Sequence, residues 1–179
     1  MTKKNAVSFE LNSPYKTRQQ QVLPEWIDYN GHMNVAYYTL AFDKALDFFF
    51  EDVLGIGPTY VSKMSKGPFA LKASYHYFNE LLVREEFYVD LSVVDFDSKK
   101  VHICGEMKKS LSGELSAVFE TVLMNVDLNK RKSIETKVLS EAINQINENS
   151  EDIICVHGKN WHPGVLGIVA AKITEKYCR

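Results

Sequence analysis

Within "DYNGHMNVAYY" (Asp28 to Tyr38), one carboxylate, two amides, a glycine and an imidazole fall inside seven residues, just before a long apolar run. Asp28 precedes what reads as a helix by a short loop that must turn sharply, which Gly31 permits. A carboxylate there lies near the positive end of the helix dipole, where free backbone N–H groups also point. Such N–H groups can stabilise the oxyanion formed from an ester or thioester carbonyl. The carboxylate can attack that carbonyl, or deprotonate the water that does. Asn30, His32 and Asn34 are placed to orient water or substrate. The plainer reading, slightly favoured by side-chain chemistry alone, has Asp28 and Asn34 as helix caps and His32 as a packed loop residue.

The elements that must position these residues follow from patterning. "YKTRQQQVLPEW" (15–26) reads as a first strand, stopped by Pro24. Asn34 fits an N-cap and Gly55 a C′ position, so a helix is expected between them. Its polar residues Thr39, Asp43, Asp47 and Glu51 make one narrow stripe, and the remaining girth is apolar. Such a helix is expected to be wrapped by other elements. Four segments can wrap it: 69–78, 85–94, 99–110 and 114–128, each alternating or rich in β-branched and aromatic residues. In the last, Leu115, Ala117, Phe119, Thr121 and Leu123 share one face. Meandering strands pair antiparallel, so the expected fold is α+β, a curved antiparallel sheet around a central helix.

Composition bounds the rest. A length of 179 residues suits one ordinary domain with an appendage, and 45% hydrophobic content excludes wholesale disorder. A net charge of −2 offers no whole-molecule attraction to nucleic acid or anionic membrane. No segment has the length and apolarity of a membrane span, and "MTKKNAVSFELNSPYK" has no signal-peptide core. Three widely spaced cysteines, Cys104, Cys155 and Cys178, suit a reducing compartment, so a cytoplasmic protein is expected. His76 and His102 fall opposite the apolar alternation and read as surface or interface residues. Cys155, His157, His162 and Cys178 match no standard metal spacing, and no metal or other cofactor is expected. Neither a phosphate-binding Gly-rich loop nor a Ser/Cys nucleophile motif is present.

Residues from about 15 to 128 resemble the hot-dog-fold acyl-CoA thioesterases of the 4-hydroxybenzoyl-CoA thioesterase type. Asp28, Gly31, Tyr38 and Asp43 match that family's loop Asp, the Gly three residues later, and the Tyr and acid inside the helix. "GHMN" (31–34) is similar to its GHVN variant, while Asp43 stands where many relatives have Glu and is assigned support, not catalysis. The resemblance implies thioester hydrolysis with Asp28, Asn30 and His32 in catalysis, and Gly31, Asn34, Tyr38, Trp26 and Tyr29 toward substrate. It also implies a homodimer or homotetramer. "PEWIDYNGHMNVAYYTLAFDKALD", "HICGEM" and "VLMNVDL" look most like the thioesterases of carnitine degradation, which act on betainyl-CoA. Aromatic faces bind quaternary ammonium groups, and Trp26, Tyr29, Tyr37, Tyr75 and Tyr77 suffice for a cage, although each alone reads as core. Rival readings are a hot-dog hydratase or dehydratase and a non-catalytic acyl-CoA-binding or DNA-associated module.

Residues 129–179 differ in kind and read as helix, strand, helix, too little to bury a core alone. "GKNWHPGVLGIVAAKITEKY" (158–177) resembles a segment of the bacterial single-strand-specific DNA exonuclease RecJ. The metal-binding motifs of that family are absent, so an incomplete segment without nuclease activity is expected.

Overall fold

The computed structural model describes residues 14–134. In chain order these form β1 (Tyr15–Lys16), β2 (Gln20–Gln21), a 3-10 turn (Pro24–Trp26), α1 (Val35–Phe49) continued by a π turn (Phe50–Leu54), and α2 (Pro58–Met64). Then come β3 (Lys66–Tyr77), β4 (Glu86–Phe96), β5 (Lys100–Lys109), β6 (Leu115–Asp127) and β7 (Lys132–Ser133). One antiparallel sheet runs β1-β4-β5-β6-β3, with β2 also on β4 and β7 on β6. The expected α+β architecture, a curved sheet against one long helix, is what the chain adopts.

Alternation explains the seam between helix and sheet. On β6, Ala117, Phe119, Thr121 and Leu123 are buried, and on β5 Ile103 and Met107. They receive Ala41, Phe42, Ala45, Leu46 and Phe49 of α1, all buried. Phe42 stacks on Phe119 with centroids 5.0 Å apart and meets Tyr75 at 6.1 Å. Asn34 caps the helix as expected, its Oδ1 accepting the Ala36 N–H at 2.9 Å. The far end differs from a plain α-helix. A π turn widens the last coil, and Phe49 and Phe50, adjacent in sequence, both reach the core before Gly55 ends the helix at φ 66°.

Four expectations change. The first strand is two short pieces, because Thr17 keeps only half of a backbone rung: its N–H donates to Val89 O at 2.9 Å, while the Val89 N–H donates to Thr17 Oγ1 at 2.9 Å. The register then slips by one residue, from Tyr15↔Leu91 to Gln20↔Phe87. Second, β3 does not meander into β4. It pairs with β6 at the other side of the sheet, and residues 78–85 cross the sheet's end with Leu81 fully buried beneath them. Third, among the described residues α1 is covered on one side only. A single sheet layer reaches one flank, leaving Val35, Leu40 and Phe48 exposed beside Asp43, Lys44 and Asp47. Fourth, the sheet does not stop at Leu128. Asp127 Oδ1 accepts the Asn129 and Lys130 N–H groups, and the chain returns so that β7 pairs with the end of β6.

Candidate active site

The site is built on a hairpin just before α1. Ile27 bridges Met33, the Asp28 N–H donates to His32 O at 3.0 Å, and the Gly31 N–H donates back to Asp28 O at 3.0 Å. This closes a three-residue loop whose last residue is left-handed, Gly31 at φ 87°. An L side chain there would be strained even though nothing stands within 4 Å of its Cβ. The closing pair of the loop is Asp28 and His32, which is why a carboxylate and an imidazole four residues apart face each other.

Asp28 is held but not used up. Its Oδ1 accepts the Asn30 N–H at 2.8 Å, while Oδ2 lies 3.7 Å from His32 Nε2. Its side chain is 14% exposed, sheltered yet open to a small reactant. The cap of α1 belongs to Asn34 alone: its side chain takes Ala36, its carbonyl takes the Tyr37 N–H, and its own N–H donates to Trp26 O. The two residues that both suited capping therefore divide. Asn34 holds the helix and is engaged there, whereas Asp28 serves the turn and faces His32. Asn30 contributes its backbone N–H, and its side chain is exposed beside the loop tip.

The second wall comes from residues 78–85, which hold a carboxylate that no local pattern flagged. His32 Nδ1 lies 3.2 Å from Glu80 Oε2. Glu80 stands between two anchored residues. On one side Asn79 Nδ2 donates to Leu115 O at 2.8 Å, and Ser116 Oγ donates to Asn79 O at 2.7 Å. On the other, the Leu81 N–H donates to the Tyr38 hydroxyl at 3.1 Å, and Leu81 O accepts the Met33 N–H at 2.8 Å. Tyr38, expected toward substrate, is buried and spends its hydroxyl on this loop. Forty-eight residues separate His32 from Glu80, so only the tertiary fold makes them neighbours.

The aromatic residues fall into two groups rather than one cage. Trp26 is buried and stacks on Tyr37 at 5.3 Å, with Lys44 Nζ 5.9 Å from its ring. Tyr75 packs with Phe42 and Phe119, and Tyr77 meets Tyr38 edge-on at 5.2 Å. Tyr29 sits at the loop tip, 96% exposed, and joins neither group. His102 Nε2 pairs with Glu120 Oε1 at 2.7 Å on the face away from α1, and His76 is exposed on β3. The Cys104 thiol is pushed up by burial first and by Glu106 and Glu120, which disfavours the thiolate a nucleophile needs. Among the described residues no three His, Cys, Asp or Glu side chains are grouped to hold a metal ion. Cys155, His157, His162 and Cys178 lie outside the described residues, as does the exonuclease-like motif.

Residues 22–146 match the thioesterase-like superfamily, a span that contains the hairpin, α1 and the whole of β3 to β7. The chain belongs to the thioesterase-like superfamily. This thioesterase is 29% identical over 117 residues to a betainyl-CoA thioesterase of Pseudomonas aeruginosa, covering 65% of the chain and 73% of that relative. It is 24% identical to an L-carnitine dehydrogenase/betainyl-CoA thioesterase of Rhizobium meliloti, over 71% of the chain but only 25% of that longer protein. A Staphylococcus aureus protein solved in complex with CoA shares the fold at a TM-score of 0.65 and 24% identity, covering 81% of this thioesterase and 90% of that chain. No helix among the described residues is long and apolar enough to cross a membrane.

Proposed function

We propose that this thioesterase hydrolyses a small acyl-CoA to the free acid and CoA, with Asp28 as nucleophile or general base. The observation that carries the reading is the Asp28 carboxylate, fixed at Oδ1 by the Asn30 N–H with Oδ2 turned toward His32, at the entry to α1. In the general-base form, the water oxygen adds to the carbonyl carbon and one water proton passes to Asp28. Collapse of the tetrahedral intermediate breaks the C–S bond, and the leaving CoA sulfur takes a proton back. In this reading the N-terminus of α1, whose dipole favours negative charge, stabilises the oxyanion. No cofactor enters the scheme.

A second copy of the chain completes it. Among the described residues β3 (Lys66–Tyr77) pairs on one side only, with β6, and Phe69, Leu71 and Tyr77 are exposed along it. The uncovered flank of α1 adds Val35, Leu40 and Phe48. An edge of this length, unpaired among the described residues and beside apolar surface, favours a homodimer or homotetramer over a lone chain.

The likeness to betainyl-CoA thioesterases favours a trimethylammonium acyl group. Trp26 and Tyr29 do not converge within one chain, so a cage for that cation would draw on aromatic residues of a second copy. A panel of acyl-CoA substrates with a thiol reagent for released CoA tests both levels of the reading. Betainyl-CoA is expected to exceed neutral 3,3-dimethylbutyryl-CoA in kcat/KM by about thirtyfold, the equivalent of a desolvated cation–π contact of about 2 kcal/mol. Equal values would discard the cation site. No CoA release from any member would discard the hydrolase.

The sequence past the family match is expected to be dispensable for this chemistry. A chain ending after residue 146, where the match ends, should hydrolyse the preferred acyl-CoA at the full-length rate. The full-length chain should leave single-stranded DNA intact in the presence of manganese. A dead truncation would assign the remaining residues to the thioesterase, and nuclease activity surviving purification would overturn the expectation that the exonuclease-like segment is inactive.

A further inference from the structure

We propose that Glu80 is a positioning residue for the hydrolysis proposed above, acting through the ring of His32. A carboxylate oxygen only accepts, so the contact of 3.2 Å between His32 Nδ1 and Glu80 Oε2 places a proton on Nδ1. In the neutral ring this leaves a lone pair on Nε2, which faces Asp28 Oδ2 across 3.7 Å. Two acceptors at that separation do not bond to each other. A water can donate one hydrogen to each, and a water so held has its oxygen lone pairs free for a carbonyl carbon. Glu80 thereby turns His32 into a second acceptor beside Asp28.

The placement of Glu80 is a product of the fold. Its neighbours Asn79 and Leu81 are tied to β6, Met33 and Tyr38, so its backbone has little freedom relative to the hairpin. Its side chain is 59% exposed, and an exposed ion pair contributes little to stability. What remains for the contact to do is select the tautomer and orientation of the ring. The inference depends on the proposed reaction only for its kinetic consequence.

The test compares Glu80→Ala, Glu80→Gln, His32→Ala and the double variant Glu80→Ala/His32→Ala in the full chain. Loss of Glu80 should lower kcat on the order of tenfold to a hundredfold, as a misoriented catalytic group does. KM and the thermal midpoint should hardly move. Glu80→Gln should recover most of the rate, because its amide oxygen still accepts from Nδ1. In the His32→Ala background, removing Glu80 should cost nothing more, since the two act as one unit. Nitrogen-15 NMR of the His32 ring should show the Nδ1–H tautomer in the native chain and a mixture in Glu80→Ala. That spectrum reads the positioning even if the substrate assignment fails. Unchanged tautomers, full turnover by Glu80→Ala, or additive losses in the double variant would each overturn the proposal.

Discussion

Asp28→Asn is expected to lower kcat by about 10² to 10⁴ while leaving the fold intact. The hairpin's closing bonds at residue 28 are made by its backbone N–H and C=O, which the substitution does not touch. The side-chain amide oxygen can still accept the Asn30 N–H that Oδ1 accepts now. What disappears is the negative charge and basicity at Oδ2, the atom facing His32 and the open side of the loop. Steady-state kinetics on the preferred acyl-CoA, paired with a thermal melt, separates loss of chemistry from loss of structure. Turnover near the native value would move the base elsewhere, to His32 or Asp43. A collapsed midpoint would instead make Asp28 a structural residue of the turn.

Phe42→Ala is the substitution expected to cost most in stability, about 3–5 kcal/mol. Phe42 is fully buried at the centre of the seam, stacked on Phe119 and against Tyr75. Across the seam, a Cβ built on Gly105 would stand 3.5 Å from the Phe42 ring, an ordinary contact distance, so β5 already lies against the ring. A close-packed interior has little room to sink into the cavity left by the ring. For a domain of this size the loss corresponds to a drop of on the order of ten degrees in the thermal midpoint. Phe48→Ala, on the exposed flank of the same helix, is the internal control and should change the monomer's stability by no more than about 0.5 kcal/mol. A Phe42→Ala loss below about 1 kcal/mol would mean that the seam closes around the gap.

What the sequence determined by itself is what neighbouring residues decide among themselves. Asn34 reads as a cap because its side chain reaches an amide two residues on, and the cap is there. Gly55 reads as a helix end because its left-handed conformation is a property of one residue, and the helix ends there. The alternation on β6 names its buried face, with Ser116 and Val126 buried out of phase, Ser116 where it ties down Asn79. The meeting of Asp28 with His32 is nearly as local, since four residues and a left-handed glycine bring them across one loop.

The tertiary structure decided everything that needed a distant partner. The placing of β3 beside β6 instead of β4 depends on Leu81 being buried under the crossing segment, which no period in that segment announces. Helical patterning counts apolar residues but cannot say how many sides a single sheet will cover, so the exposed flank of α1 was unreadable. The same limit hid Glu80 in "FNELLV", where an acid in a loop has no feature to set it apart. Its neighbour His32 lies 48 residues away, and contacts across such a separation are set by how the whole sheet closes on the helix. The five aromatic residues were legible as a set, yet the fold divided them: Trp26, Tyr37, Tyr75 and Tyr77 each found a nearer ring than a shared centre, and Tyr29 stands exposed at the loop tip.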